Sequence, residues 1–346
     1  MSDRLPLPAG ASTVHLQIAE VEDLAFRALH ASGLAEDHAR AVAAQFAAAE
    51  ADGIPSHGLA RVPSNCQILA YGKIAKDARP VVTSPRSGIV HLDAGDGFPH
   101  LGIAMARPIL SEAVRENGIA SLVVTNAYAC GVLGYHTENL AREGLVILGF
   151  THAPASMAPA GGRRPVVGTN PMSLAVPSDD GVVLLIDQSS SVVAKSEVMD
   201  RHMRGEGIPD NWAFDQDGRP TTSAAAALQG GTMAPFGGYK GFGIGLIVEV
   251  FSALLTNSNL GVVAPGLIDT SNGPPRVGAY FIAVDPAVTG GGDFNRKMET
   301  LLGAIGTQPG TRIPGSRRHV WRRQTAAEGV EIPRPLYQQI KAIIGS

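Results

Sequence analysis

The run Val90-His-Leu-Asp93-Ala-Gly-Asp-Gly97 opens the stretch that decides the fold. A short apolar piece breaks at the turn from Asp93 to Gly97 and gives way to helical spacing at Ile103, Leu110, Ala113 and Val114. Ile119-Ala-Ser-Leu-Val-Val124 then reads as a buried strand, His136 to Glu143 as a helix, and Leu145-Val-Ile-Leu-Gly-Phe-Thr151 as another strand. Val182 to Ile186 repeats the continuous apolar pattern. This alternation is that of an α/β layer structure.

On the N-terminal side the region is helical. Ile18, Val21, Leu24, Ala25 and Leu29 predict a helix from Ser12 to about Ser32, stopped by Gly33, and Ala39, Val42, Phe46 and Ala49 predict a second ending near Gly53. On the C-terminal side, Lys240 to Leu255 reads as one long helix and Val277 to Val284 as a strand. Leu336, Ile340 and Ile344 form one face of a closing helix. The segment Asn211 to Pro220 reads as a surface loop or hairpin. Pro265 to Pro275 and Gln308 to Gly315 read as crossovers between domains.

The chain has 346 residues, enough for about two domains. A net charge of −3 lacks the basic excess that nucleic acid partners demand. With 41 glycines and 24 prolines it exceeds the usual share of about 12%, so tight turns and close backbone approaches are expected. Its two cysteines, Cys66 and Cys130, make no disulfide framework, which suits a reducing cytoplasm. The N-terminus carries no secretory apolar stretch. The longest apolar run, Phe242 to Leu255, is broken by Glu249 and falls short of the roughly 20 residues that span a bilayer, so no membrane association is expected.

Neither a GxGxxG fingerprint nor a Walker A sequence occurs, and the ten histidines include no HExxH or HxH, so no metal site is expected. The chemistry-bearing cluster is Asp52-Gly-Ile-Pro-Ser56-His57-Gly58-Leu-Ala-Arg61. On a helix His57 and Arg61 would share one face. Arginine can grip a carboxylate with two parallel hydrogen bonds, and imidazole can donate a proton near neutral pH. The same residues also read as a helix cap at Ser56, a solvated Arg61 and a space-filling His57. Two further stretches suit an anionic ligand: Gly161-Gly-Arg-Arg-Pro-Val-Val-Gly-Thr169-Asn-Pro171, and Pro235-Phe-Gly-Gly-Tyr239-Lys240-Gly241 at a helix start.

SHGLAR, GGRRPVVGTNP, LLIDQSSSVVA and PFGGYKG, in this order over nearly the whole chain, closely resemble the malate/L-lactate dehydrogenase family of NAD(P)-dependent oxidoreductases. The resemblance implies an α/β, non-Rossmann NAD(P)-binding fold of the malate/L-lactate (sulfolactate) dehydrogenase type with a helical N-terminal region. It implies a homodimer, with residues 1–121 as a substrate-side region, 122–285 as the NAD(P)-binding domain and 286–346 packing back on the N-terminal region. From the branch of Δ1-piperideine-2-carboxylate/Δ1-pyrroline-2-carboxylate reductases, it implies a catalytic relay of Ser56, His57 and Asp187. Arg61 and Thr169 would bind the substrate. The cofactor contacts would be Ala129, Cys130, Gly131, Val132, Leu133, Ser189, Ser190, Ser191, Tyr239, Lys240, Pro314, Gly315, Ser316, Arg317 and Arg318.

Two departures bear on the substrate. Ala129 stands where hydroxyacid dehydrogenases of the family carry a histidine, and Asn65 where a tyrosine usually follows the arginine. The expected reaction is hydride transfer from NADPH (or NADH) to C2 of a small cyclic imino acid or 2-oxo acid. Arg61 holds the carboxylate and His57 delivers the proton. An iminium can arrive already protonated, so it suits the missing histidine better than a ketone does. The rival readings are a 2-hydroxy-acid dehydrogenase and a cofactor-binding protein without turnover. Arg163, Arg164, Arg317 and Arg318 favour the 2′-phosphate of NADPH.

Overall fold

The computed structural model describes residues 12–269 and 273–345. Residues 1–11 of the stretch read for a leader, and residues 270–272 of the expected crossover, lie outside the described residues.

The N-terminal portion begins with a strand, β1 (Thr13–Leu16), followed by α1 (Ile18–Ala31), α2 (Glu36–Ala51) and α3 (Val62–Ala70). The backbone amide of Gln17 donates to the Glu20 carboxylate at 2.7 Å, closing the first turn of α1. The sequence pattern led the helix back to Ser12, but Thr13 to Leu16 pair antiparallel with β11 (Val330–Pro333), from Thr13 against Pro333 to Leu16 against Val330. The last helix, α12 (Arg334–Gly345), packs on α1 and α3. One apolar core unites both chain ends: Val21, Leu29, Phe46, Leu59, Ile68, Ile332 and Ile340 are all buried.

The middle of the chain supplies β2 (Val81–Arg86), β3 (Ile89–Asp93), α4 (His100–Asn117), β4 (Ile119–Ala127), α5 (Leu133–Ala141) and β5 (Val146–Thr151). Next come β6 (Met172–Ser178), β7 (Gly181–Gln188), α6 (Lys195–Met203), β8 (Ala213–Phe214), α7 (Ala224–Leu228) and β9 (Thr232–Met233). Within Asn211 to Pro220, Phe214 bridges Pro220 antiparallel, and β8 also pairs with β9 further along the chain. Helix α8 (Tyr239–Glu249) runs into a π-helical turn, Val250–Leu254, so the long helix is continuous but widened at its end. After β10 (Val277–Val284) come α9 (Pro286–Gly290), α10 (Phe294–Gly306) and α11 (Ser316–Glu328).

Seven strands form one sheet in the order β2-β3-β4-β10-β5-β6-β7. The layers are α/β, but only β3 and β4 pair in parallel. The reason lies in β10, which enters between β4 and β5 and runs antiparallel to both, so the strand–helix–strand unit through α5 never pairs its own two strands. The sheet also reaches upstream of residue 122, because β3 hydrogen-bonds along β4 and brings β2 and α4 with it. Val90, Leu92, Leu110, Val124, Ile147 and Phe281 fill its core. A smaller apolar cluster around Met157, Val167, Val198 and Met233 holds the 157–233 region together. Among the described residues no helix is long and apolar enough to cross a membrane.

Candidate active site

Helix α2 stops at Ala51, and Pro55, with its fixed φ, opens a short 3₁₀ turn, Pro55–His57, followed by a second, Leu59–Arg61. His57 and Arg61 therefore lie on two consecutive turns rather than on one helical face. The turns are tied back to α2, since the Leu59 amide donates to the Glu50 carboxylate at 2.9 Å. Ser56 Oγ and His57 Nδ1 are 3.1 Å apart. Arg61 donates from Nε to the Ser56 carbonyl at 2.8 Å, which aims the guanidinium and leaves its two terminal nitrogens for another acceptor. Among the described residues no carboxylate forms an ion pair with this half-buried cation.

Asp187 lies one residue before the end of β7. Its Oδ2 accepts from the Gly134 amide at 3.1 Å and from Arg318 Nη2 at 2.7 Å. The hydrogen bonds of His57 and Asp187 thus go to different partners, and the two act on each other through charge. Burial, Arg61 and Arg318 push the His57 imidazole down to about 4, while Asp187 pulls the other way.

Four expected segments meet around the end of β7. The Ser190 amide donates to the Thr169 carbonyl at 2.7 Å, and Ser190 Oγ to the Asn170 carbonyl at 2.7 Å, which stitches the two loops together. Ser189 and Ser191 hydroxyls sit 3.0 Å apart. The Phe236 amide reaches the Ser190 carbonyl at 3.1 Å, bringing the start of α8 alongside, with Tyr239 and Lys240 exposed there. On the other side the Leu185 amide donates to the Pro314 carbonyl at 3.3 Å, so Gly315 and Ser316 border the same strand.

The Ala129–Leu133 loop joins β4 to α5. Cys130, Val132 and Leu133 turn their side chains into the interior and can offer a ligand only backbone; burial pushes the Cys130 thiol up to about 12. Gly131 has φ +71°, and a Cβ there would sit 2.3 Å from Gln45 Oε1 of α2. Ala129 packs toward the N-terminal core, and Asn65 is buried on α3.

Two of the expected contributions have protein neighbours of their own. Arg318, expected among the cofactor contacts, donates from Nη2 to Asp187, while Nη1 lies 3.8 Å from Asp52 Oδ2 and has no hydrogen-bond partner among the described residues. Arg163 and Arg164 are exposed, and Arg163 lies against Gly218.

Other residues find partners that the local pattern does not announce. Arg322 pairs with Asp52 and with Glu138 of α5. Tyr128 donates its hydroxyl to the Leu267 carbonyl at 2.9 Å, and burial raises its pKa. Lys73 is buried and paired with Asp269 at 2.5 Å. His136 Nε2 faces the Cys130 carbonyl at 2.8 Å, and because a carbonyl only accepts, that nitrogen carries the proton. Among the described residues no group of three or more His, Cys, Asp or Glu is placed to hold a metal.

The sequence pattern of the malate/L-lactate dehydrogenase family matches residues 16–341. The chain belongs to this family. It is 38% identical over 329 residues to the (2R)-3-sulfolactate dehydrogenase (NADP(+)) of Chromohalobacter salexigens, covering 94% of this chain and 97% of that one. It is 34% identical over 333 residues to the Δ1-pyrroline-2-carboxylate reductase of Ancylobacter novellus, covering 95% and 97%. The solved structure of Δ1-piperideine-2-carboxylate reductase from Pseudomonas syringae superposes with a TM-score of 0.90 at 30% identity, over 96% of this chain and 100% of that one. This member of the malate/L-lactate dehydrogenase family is an oxidoreductase with that fold.

Proposed function

We propose that the protein is an NAD(P)H-dependent reductase acting at C2 of a small cyclic imino acid or 2-oxo acid, of the Δ1-pyrroline/piperideine-2-carboxylate type. The observation that carries this reading is Arg61, a half-buried guanidinium without a carboxylate partner among the described residues, beside a half-buried His57 on which its charge acts. Such a pair takes a carboxylate and places an acid–base group next to the atom bonded to it.

The residues fit a nicotinamide nucleotide. Gly237 and Gly238 leave open space ahead of α8, with Lys240 beside its first amides, and the Ala129–Leu133 backbone leads into α5. The start of α8 offers donors to phosphate oxygens, whereas the Gly134 amide at the start of α5 is held by Asp187. When bound, the cofactor supplies the hydride.

Arg61 binds the carboxylate through its two terminal nitrogens and orients C2. Thr169 borders the substrate, and Ser56 fixes the His57 ring through Nδ1. An arriving carboxylate offsets the charge of Arg61 and so moves the His57 imidazole upward from about 4. A protonated imine brings its own proton, and a neutral His57 can accept a hydrogen bond from its N–H. A ketone instead needs the imidazolium.

The likeness to a sulfolactate dehydrogenase favours a second reading, a 2-hydroxy-acid dehydrogenase with His57 as base. Nicotinamide absorbance followed with Δ1-pyrroline-2-carboxylate, Δ1-piperideine-2-carboxylate and a panel of 2-oxo acids separates the two. Turnover of the imines well above that of the ketones is expected; ketone preference would sink the imine reading. NADPH against NADH is read in the same assay.

The homodimer is supported by an exposed apolar row on α8 and beyond: Leu246, Ile247, Val250, Leu254, Leu255 and Val263. Sedimentation at a single monomeric mass would count against it.

A further inference from the structure

Arg318 enters from the first turn of α11 and reaches two acids that sequence separates widely. Its Nη2 donates to Asp187 Oδ2 on β7 at 2.7 Å, and Nη1 lies 3.8 Å from Asp52 Oδ2 at the end of α2. All three side chains are largely covered, with 15%, 13% and 5% exposure for Arg318, Asp187 and Asp52. One turn on, Arg322 pairs with Asp52 and with Glu138, so α11 presents two arginines to three carboxylates.

Buried ion pairs add little net stability once desolvation is counted, so stability alone does not account for this one. A guanidinium facing two carboxylates is also a poor receptor for phosphate, because the acids repel the ligand that the arginine would attract. What the pair does achieve is geometric. Asp187 Oδ2 is held from one side by Arg318 and from the other by the Gly134 amide, which leaves the carboxylate fixed in place. A Cβ at residue 134 would come within 2.6 Å of Asp187 Oδ2 and 2.7 Å of Arg318 Nη1, so the backbone of α5 is pressed directly onto the pair.

We propose that Arg318 is a positioning residue for the reaction, the strut that fixes the Asp187 carboxylate against the start of α5, and not a nucleotide contact. This rests on His57 being the acid–base group of the proposed reaction. The charged groups that act on His57 are Arg61, Asp187 and Arg318; Asp52 and Arg322 stand behind Arg318, Tyr128 beside Arg61, and His136 also feels Asp187.

The test combines R318Q and R318K in the full chain with three readouts: NADPH Kd from fluorescence, kcat at saturating NADPH, and the His57 titration midpoint from NMR of the ring. Replacing Arg318 with glutamine is expected to raise the His57 midpoint, since a positive charge is removed while Asp187 remains. It is also expected to lower kcat on the order of 100-fold through misplacement, with NADPH Kd changed by less than about two-fold. Lysine should return the midpoint and recover part of kcat. A roughly ten-fold weaker NADPH Kd with an unmoved His57 midpoint would overturn the proposal in favour of a nucleotide contact. If R318Q fails to fold, R318K decides alone: lowered kcat at unchanged Kd supports the proposal, and weakened Kd at unchanged kcat overturns it. If the wild type turns over neither imines nor 2-oxo acids, the functional reading fails, while the midpoint and the NADPH Kd still decide for or against Arg318.

Discussion

Arg61 is aimed by its own Nε bond to the Ser56 carbonyl, so removing the guanidinium takes away both grip and orientation. Arg61→Ala is expected to raise KM strongly and to lower kcat as well on a carboxylate substrate, measured by steady-state kinetics. Unchanged kinetics would place the anchor elsewhere. Ala129 divides the two readings of the substrate. If the pocket is shaped around alanine for a cyclic imine, Ala129→His crowds it, and imine turnover falls with little gain on ketones. A large gain in 2-oxo-acid reduction would instead show a dehydrogenase that lacks only its second donor. Tyr128 and His136 give little help as proton donors to either reaction, since the Tyr128 hydroxyl and the His136 Nε2 proton are already committed to carbonyls. At this scale the sequence was informative where residues lie close together. Ser56, His57 and Arg61 could be read as a group because six positions hold them. Arg318 and Asp187 are 131 positions apart, and nothing local announces that they touch.

The start of α5 is where an element and the site constrain each other most tightly. Gly134 has no room for a methyl group between Asp187 and Arg318, so Gly134→Ala must move the helix or part the pair. Overpacking of this kind costs about 1–3 kcal/mol, and kcat is expected to fall further than stability alone would explain. Urea unfolding beside kinetics checks this; an alanine variant with wild-type kcat would show that the pair tolerates displacement. Elements were legible where their own periodicity defines them, as in α1, α2, α4 and the buried strands β4, β5 and β7. The strand β1 was not, because its four residues gain their partners only from β11 near the other end of the chain. The sheet order was hidden for the same reason: hydrophobic alternation reveals a strand but not its neighbour, and β10 takes the place beside both β4 and β5.

Across the molecule, several histidines are held neutral by burial. His57 and His136 are pushed down to about 4, and His100 well below its ordinary value. Their unfolded counterparts take up protons near pH 6.5, so below that pH the unfolded state binds more protons and stability falls as pH drops toward 4. His136 alone accounts for about 3 kcal/mol over that window. Glu138, lowered by its partner Arg322, adds to the loss as pH falls further. Thermal midpoints recorded from pH 7 to pH 4 are expected to decline steadily, and a flat profile would contradict the buried neutral state. Pairing of the two chain ends through β1 and β11 also orders events during synthesis. The seven-stranded sheet has all its strands once residue 284 has left the ribosome. Helices α1 and α3, made earlier, wait with part of their apolar face uncovered until α12 emerges. The half that carries His57 and Arg61 is thus the first translated and the last to be completed, because its core takes Ile332 and Ile340 from the far end of the chain.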